Sequence, residues 1–426
     1  MNLSLRLYMV MVALGCQFSV TMAQAEVPPL KPSIMLNEKL SMAQALNVGL
    51  SDSPRTASAR ALLGITKAAL VQANVMPNPG VYIDNQYKFT YKIGASMIVE
   101  PPWRLVFRRA AARTQIGQTN LEITRTLWLF RGEVRRSYVE AVIAREMLLV
   151  RKQFLDLMKR LLTISKERFD KGDVPRLDIY RADLAVVQAE IQAEQAEIMV
   201  TQTTEQLNVL LAREKDYYEP MALSAVADDL LANAAQFDSE SKLHALAMSN
   251  RLELKIVEQQ RVVNDANLKV ARGNILPAPR FTVGRMTEDH INSRLNRQTA
   301  FFQALIDLPV LDRQQGIIAR AKATGTQLSL EVLSQRNIIS GQVYLAFRRL
   351  RSALVRIERS QKRALPLSDS ISNAADLSYR MGQTDINSAL VAQQDNILVR
   401  TQYLDSLLAY ELALNDLEQA VGIPLQ

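Results

Sequence analysis

The chain repeats itself. Met76-Pro77-Asn78-Pro79 returns as Leu276-Pro277-Ala278-Pro279, 200 residues on, and Asn74 and Asn274 keep that spacing. Farther along the offset is 210: Gly172 recurs as Gly382, and Leu207 to Ala212 as Leu417 to Gly422. A duplicated chain has to build one architecture twice, so any fold assigned to it must be pseudo-symmetric. The expected layout is a segment 1–25, an extension 26–40, a first repeat 41–212, a linker 213–240 and a second repeat 241–426.

Each repeat is predicted to open with a helix. Ser41-Met42-Ala43-Gln44 reads as a capping box, with the Ser and Gln side chains satisfying orphan amide donors. That helix is expected to run toward Asn74 and to stop at the prolines, which cannot donate and restrict the residue before them. The next stretch alternates. Val81, Ile83, Tyr87, Phe89 and Tyr91 fall on one face of an extended chain, and Tyr82, Asp84, Gln86, Lys88 and Thr90 on the other. Ala95, Met97 and Val99 continue beyond a turn near Gly94. In the second repeat Phe281 and Val283 start a strand, and Ala300, Phe302, Ala304, Ile306 and Leu308 alternate against Thr299, Gln303 and Asp307. Two strands per half are expected, near 80–101 and 280–308. Each is about nine or ten residues long, the length that crosses a bilayer at a tilt.

The remainder reads as long helix. From Ala110 to Asp170 there is no proline, and about 60 helical residues span about 90 Å. From Leu177 to Ala212, Ala182, Ala185, Ala189, Ala193 and Ala196 form a small-residue stripe. Leu184, Val187, Ile191 and Ile198 form an apolar stripe beside it, as in a helix packed on two sides. The fold class expected is therefore mainly α with a small β part.

Several functions are set aside by what the chain lacks. Beyond the N-terminus no stretch of 18 apolar residues exists, so a helical membrane span is excluded, while an alternating β-barrel is not. The N-terminus itself reads as a secretory signal: Arg6, an apolar run from Leu7 to Leu14, and a cleavage site at Ala23-Gln24-Ala25. A rival reading places a lipid anchor at Cys16, because Leu14-Gly15-Cys16 partly matches a lipoprotein box. Basic residues exceed acidic ones by only eight. They are scattered, as at Arg135, Arg136, Arg145 and Arg151, which reads as a solvated face and not as a nucleic-acid surface. His244 and His290 lie in different repeats without ligand partners nearby, and no zinc, Walker or nucleophile-elbow pattern occurs. No catalytic, cofactor-binding or metal-binding residue is assigned.

Leu308-Pro309-Val310-Leu311-Asp312-Arg313-Gln314-Gln315-Gly316-Ile317, Arg168-Phe169-Asp170-Lys171-Gly172-Asp173-Val174-Pro175-Arg176-Leu177-Asp178, Tyr379-Arg380-Met381-Gly382-Gln383-Thr384-Asp385 and the ending Leu417 to Gly422 carry a resemblance. With them the chain resembles the TolC family of outer-membrane efflux proteins, and within it the heavy-metal (CzcC-like) branch that works with RND pumps. Val106-Phe107-Arg108-Arg109 departs from the Gly-Lys-Arg-like step of the family. The resemblance implies a homotrimer in outer-membrane lipid. Four strands per copy would form a twelve-stranded β-barrel, and helical hairpins a periplasmic α-barrel, with 213–240 at the equator. It implies a passive conduit with a periplasmic adaptor and an inner-membrane transporter as partners, and no enzyme activity. The alternative is a periplasmic coiled-coil scaffold or adaptor. The hairpin tips would form the gate, with Gly172 and Gly382 at the turns. The family's acid and tyrosine fall on Asp178 and Tyr379, its arginine on Thr384, and one of its narrowing acids on Ser388. Asp173 and Asp385 are candidate replacements for the lost acids.

Overall fold

The computed structural model describes residues 40–87, 90–213, 239–288 and 297–425. The segment 1–25 with Cys16, nearly all of the 26–40 extension, most of the 213–240 linker and His290 lie outside the described residues.

The same order of elements occurs twice. The first run is α1 (Met42–Asp52), α2 (Pro54–Asn74), β1 (Gly80–Tyr87), β2 (Thr90–Ile98), α3 (Pro102–Asp170) and α4 (Arg176–Leu211). The second is α5 (Glu240–Asn250), α6 (Leu252–Gly273), β3 (Arg280–Glu288), β4 (Arg297–Leu305), α7 (Gln315–Arg359), a π-turn (Ser360–Ala364), α8 (Leu365–Arg380) and α9 (Ile386–Val421). The capping box at Ser41 forms, with both reciprocal bonds present. The helix expected to run unbroken to Asn74 does not: it stops at Ser53, and Pro54 begins a new helix at its first position. Proline costs nothing there, because its missing N–H would be an orphan anyway.

At 69 residues, α3 is about 100 Å long. It packs along α4 and α2 within its own repeat and along α6 and α9 of the other. The alanine stripe of α4 is buried in that packing. The neighbouring stripe is uncovered: Leu177, Tyr180, Leu184, Val187, Ile191 and Ile198 are about half exposed or more. Their spacing of three, four, three, four and seven is a coiled-coil seam without a partner helix among the described residues.

The four strands make one antiparallel meander, β1-β2-β3-β4. Register aligns Val81, Ala95, Val283 and Phe302 in one row, and Ile83, Ile93, Arg285 and Ala300 in the next. That face is apolar and outward, with Phe302 at 68% exposure. Arg285 is its one charge among these rows. The opposite face carries Tyr82, Asp84, Lys92, Ser96, Thr282 and Gln303. Gly94 pairs with Gly284 there, and a Cβ on either would lie 2.3 or 2.2 Å from the partner strand's carbonyl oxygen. The bare pair lets Tyr82 on β1 and Phe301 on β4 approach to 6.0 Å between ring centres. Three strand spacings in a flat sheet would separate those strands by about 14 Å, so the sheet closes over its polar face. All four strands join the helices at the same end, at Gly80, Ile98, Arg280 and Leu305.

Two arginines seat the sheet on the helices. Arg108 of α3, in the departing Val106–Arg109 step, donates to the Ala73 and Val75 carbonyls at the end of α2. Arg104 donates to the Asn274 and Leu276 carbonyls after α6. Arg135 corrects the reading of the arginines as a solvated face. It is buried, and its guanidinium lies 3.2 Å from Glu411 and 2.9 Å from Glu418, both on α9. Arg131 adds a second contact to Glu418, at 2.9 Å. Ile306 and Leu308, expected in the last strand, lie beyond its end in an exposed loop.

Candidate functional site

The far ends of the helices carry the two tips. At the first, α3 closes with a Schellman motif: Asp173 N–H donates to the Arg168 carbonyl at 2.9 Å and Gly172 N–H to Phe169 at 2.8 Å. At the second, Gln383 N–H donates to Ser378 at 2.9 Å and Gly382 N–H to Tyr379 at 3.1 Å. Both motifs need a left-handed residue, and Gly172 (φ 83°) and Gly382 (φ 76°) supply it.

Both hairpins share one core. Phe154, Met158 and Leu161 of α3, Ala182 and Ala185 of α4, Tyr379 of α8 and Ile386 of α9 belong to it. Tyr379 is fully buried there. Its hydroxyl lies 2.7 Å from Ser165 Oγ. Ser165 spends its own proton on the Leu161 carbonyl, at 2.9 Å, so Tyr379 is assigned as the donor. Arg168 of α3 completes the arrangement. One guanidinium nitrogen donates to the Tyr379 carbonyl at 2.8 Å, and the guanidinium carbon sits 4.8 Å from the centre of the ring. A charge-assisted hydrogen bond and a cation–π contact thus tie the last turn of α3 to the last turn of α8.

The other sequence candidates lie around this clamp. Asp178 is buried in the first turn of α4, 3.8 Å from Arg181. Asp173 and Thr384 are exposed at their turns. Asp385 caps α9, accepting from the Ser388 amide at 3.1 Å and from its hydroxyl. Those bonds, the Ser388 hydroxyl first, hold the Asp385 carboxyl below its ordinary value. Ser388 is thereby engaged in the cap. Sequence reasoning missed Arg168 and Ser165. A basic residue in the last turn signals a helix C-terminus, but nothing local reveals that Arg168 reaches across 211 residues.

His244 Nε2 lies 3.0 Å from Ser340 Oγ, in a contact between α5 and α7. Among the described residues no group of three or more His, Cys, Asp or Glu is placed to hold a metal ion, and no helix is long and apolar enough to cross a membrane.

No protein-family model matches the sequence. The chain is 22% identical over 397 residues to the cobalt-zinc-cadmium resistance protein CzcC of Cupriavidus metallidurans, covering 91% of this chain and 90% of that one. Among solved structures, crystal structures of CusC superpose with a TM-score of 0.71 at 16% identity, covering 90% of this chain and 92% of the other. This chain has the fold of the TolC-family outer-membrane channels. VceC of Vibrio cholerae, an outer membrane protein, matches at a TM-score of 0.68 and 11% identity over 90% of this chain and 97% of its own. Against the TolC-type fold the four-stranded meander is the β-barrel portion, the long helices are the helical barrel, and the tips lie at the end remote from the sheet. The proteins it resembles are channels and not enzymes.

Proposed function

We propose that this chain is the outer-membrane channel subunit of a tripartite efflux pump. The observation that carries this reading is the sheet. Among the described residues its two edges, β1 and β4, are unpaired, one face is apolar and outward, and its polar face curls inward. In lipid an open edge leaves backbone groups unsatisfied, so such a sheet has to close with copies of itself. Three copies give twelve strands, and the uncovered seam of α4 supplies a helical contact between the copies in the same assembly. A periplasmic adaptor and an inner-membrane RND transporter complete the pump. The likeness to CzcC makes divalent metal cations the favoured cargo, passed along the duct without tight binding.

The tips form the periplasmic gate in this reading. Tyr379 keeps a role, with Ser165 and Arg168 as partners, and the contact holds the two hairpins of one protomer together. Asp178, Asp173 and Asp385 lie at the mouth, and Asp173 and Asp385 present the exposed carboxylates there. Membrane fractionation tests the channel. The expected result is a heat-modifiable trimer in the outer membrane, and a strain lacking it should become more sensitive to cobalt, zinc or cadmium. A mature protein recovered as a soluble periplasmic monomer would sink the reading.

A further inference from the structure

Among the described residues the loop after β4 is an apolar hook with no cover. Leu308, Val310 and Leu311 are 78%, 65% and 89% exposed. Such exposure usually accompanies a loosely held loop, but this one is braced. Val310 N–H donates to Leu308 at 2.8 Å, Arg313 Nε to the Pro309 carbonyl at 3.3 Å, and Gln315 Nε2 to the Leu311 carbonyl at 3.0 Å. Gln314 N–H donates to Asp312 at 2.8 Å, with Gln314 itself left-handed at φ 60°. The backbone is pre-organised to present three apolar side chains to a docking surface.

A complementary surface lies at the other edge of the sheet. At the C-terminal end of α2 a groove of about 480 Å³ is lined by Ala69, Ala73, Val75, Met76 and Ala112, with Arg108 at its side. Of that lining, Val75 and Met76 are 48% and 59% exposed, and Val71, one turn earlier on α2 and outside the lining, is 66% exposed. Hook and groove flank the two free strands: the groove leads into β1, and the hook follows β4.

We infer that the hook of one copy seats in the α2 groove of the next copy. Topology decides the occupant. β1 runs away from the helices and β4 runs back toward them, so a second copy that continues the antiparallel meander sets its β1 beside β4. The helix-side end of β4 then meets the helix-side start of the neighbour's β1. That puts Leu308, Val310 and Leu311 against the segment Val71 to Met76 of the neighbour. The contact removes apolar surface from both partners just below the strand closure, where the two braced ends set the entry angle of the new strand pair. This rests on the trimeric channel reading and adds to it a named docking surface.

The test is disulfide trapping in the full chain expressed in its own membrane. Leu308→Cys and Val75→Cys are combined in one chain. Within a chain those positions flank opposite edges of the sheet. A link within one chain leaves a monomer band and a link between copies gives linked dimers and trimers, so the gel separates the two. Single variants control for links through Cys16. The expected result is a ladder of linked dimers and trimers on non-reducing gels from the double variant alone. A second measurement uses Leu311→Asp, which should abolish the detergent-resistant trimer while the chain still reaches the outer membrane. Absence of cross-links from the Leu308/Val75, Leu308/Met76 and Leu311/Val71 pairs in a protein that is still trimeric overturns the docking surface and leaves the channel intact. Protection of Leu308→Cys from aqueous thiol reagents with no cross-link points to lipid as the cover and overturns it equally. Absence of any trimer in the unaltered protein overturns the channel reading itself.

Discussion

At the tip, three residues from two distant parts of the chain share one job. Tyr379 gives its hydroxyl proton to Ser165, while Arg168 holds the Tyr379 carbonyl and covers its ring. The strengths differ. A neutral hydrogen bond contributes about 0.5–1.5 kcal/mol net, whereas one to a charged group contributes about 1.5–3 kcal/mol. Tyr379→Phe removes the first and leaves the ring under the guanidinium. Arg168→Ala removes the second together with the cation–π contact. If the tips gate the channel, Arg168→Ala should raise single-channel conductance in planar bilayers well above the parent, and Tyr379→Phe only slightly. Equal effects, or none from Arg168→Ala, would remove the clamp from the gate. The two glycines were legible in sequence because their left-handed turns recur at one offset. Ser165 and Arg168 were not, because an ordinary helical serine and a C-terminal arginine announce no partner more than 200 residues away.

At the scale of elements, the strands were readable for a physical reason. A sheet with one apolar and one polar face imposes a period of two, and Val81, Ile83, Ala300 and Phe302 obey it. The end of β4 was not readable, because Ile306 and Leu308 continue the alternation into a loop that is also apolar. The break at Ser53-Pro54 had its signal in the proline, and the long amphipathic pattern around it masked that signal. The π-turn at Ser360–Ala364 had none, since one extra residue inserted in a turn leaves the composition unchanged. The two faces of the sheet make a direct comparison possible. Phe302 lies on the apolar face in a row with Val81, Ala95 and Val283, and its neighbour Gln303 lies on the polar face in a row with Gly80, Ser96 and Thr282. Phe302→Arg at mid-bilayer should cost about 2–4 kcal/mol, while Gln303→Arg should be tolerated. The readout is the yield of folded, heat-modifiable protein in the outer membrane. Equal losses from both variants would refute the face assignment.

At the scale of the whole molecule, the two repeats are joined by a buried charge cluster. Arg135 and Arg131 come from α3 and meet Glu411 and Glu418 of α9, contacts that span 276 and 287 residues. The two carboxylates respond differently. Burial pushes both up, but Glu418 also has Arg135, Arg131 and the Leu425 amide, which together hold it below its ordinary value. Glu411 has Arg135 alone against burial and the nearby Glu418 charge, and it stays raised. For Arg135 the cost of burial is the largest influence, and the two carboxylates outweigh it and keep it charged. Arg135→Met, similar in size and uncharged, leaves Glu411 buried without its cation and Glu418 with Arg131 alone. Breaking a buried pair from one side costs about 3–5 kcal/mol. The loss must depend on pH. In the parent, the lowered Glu418 contributes stability above the ordinary carboxylate range that disappears as pH falls through its folded value. In the variant Glu411 loses the one cation that held it down and Glu418 loses one of the groups that held it below its ordinary value, so the stability lost is greatest where both are ionised and shrinks as they take up protons. Thermal melting of detergent-solubilised protein should therefore show a large deficit for Arg135→Met at pH 8 and a smaller one at pH 5. A deficit that is the same at both values, or larger at pH 5, would mean that the arginine acts through packing and not through the charges it holds apart.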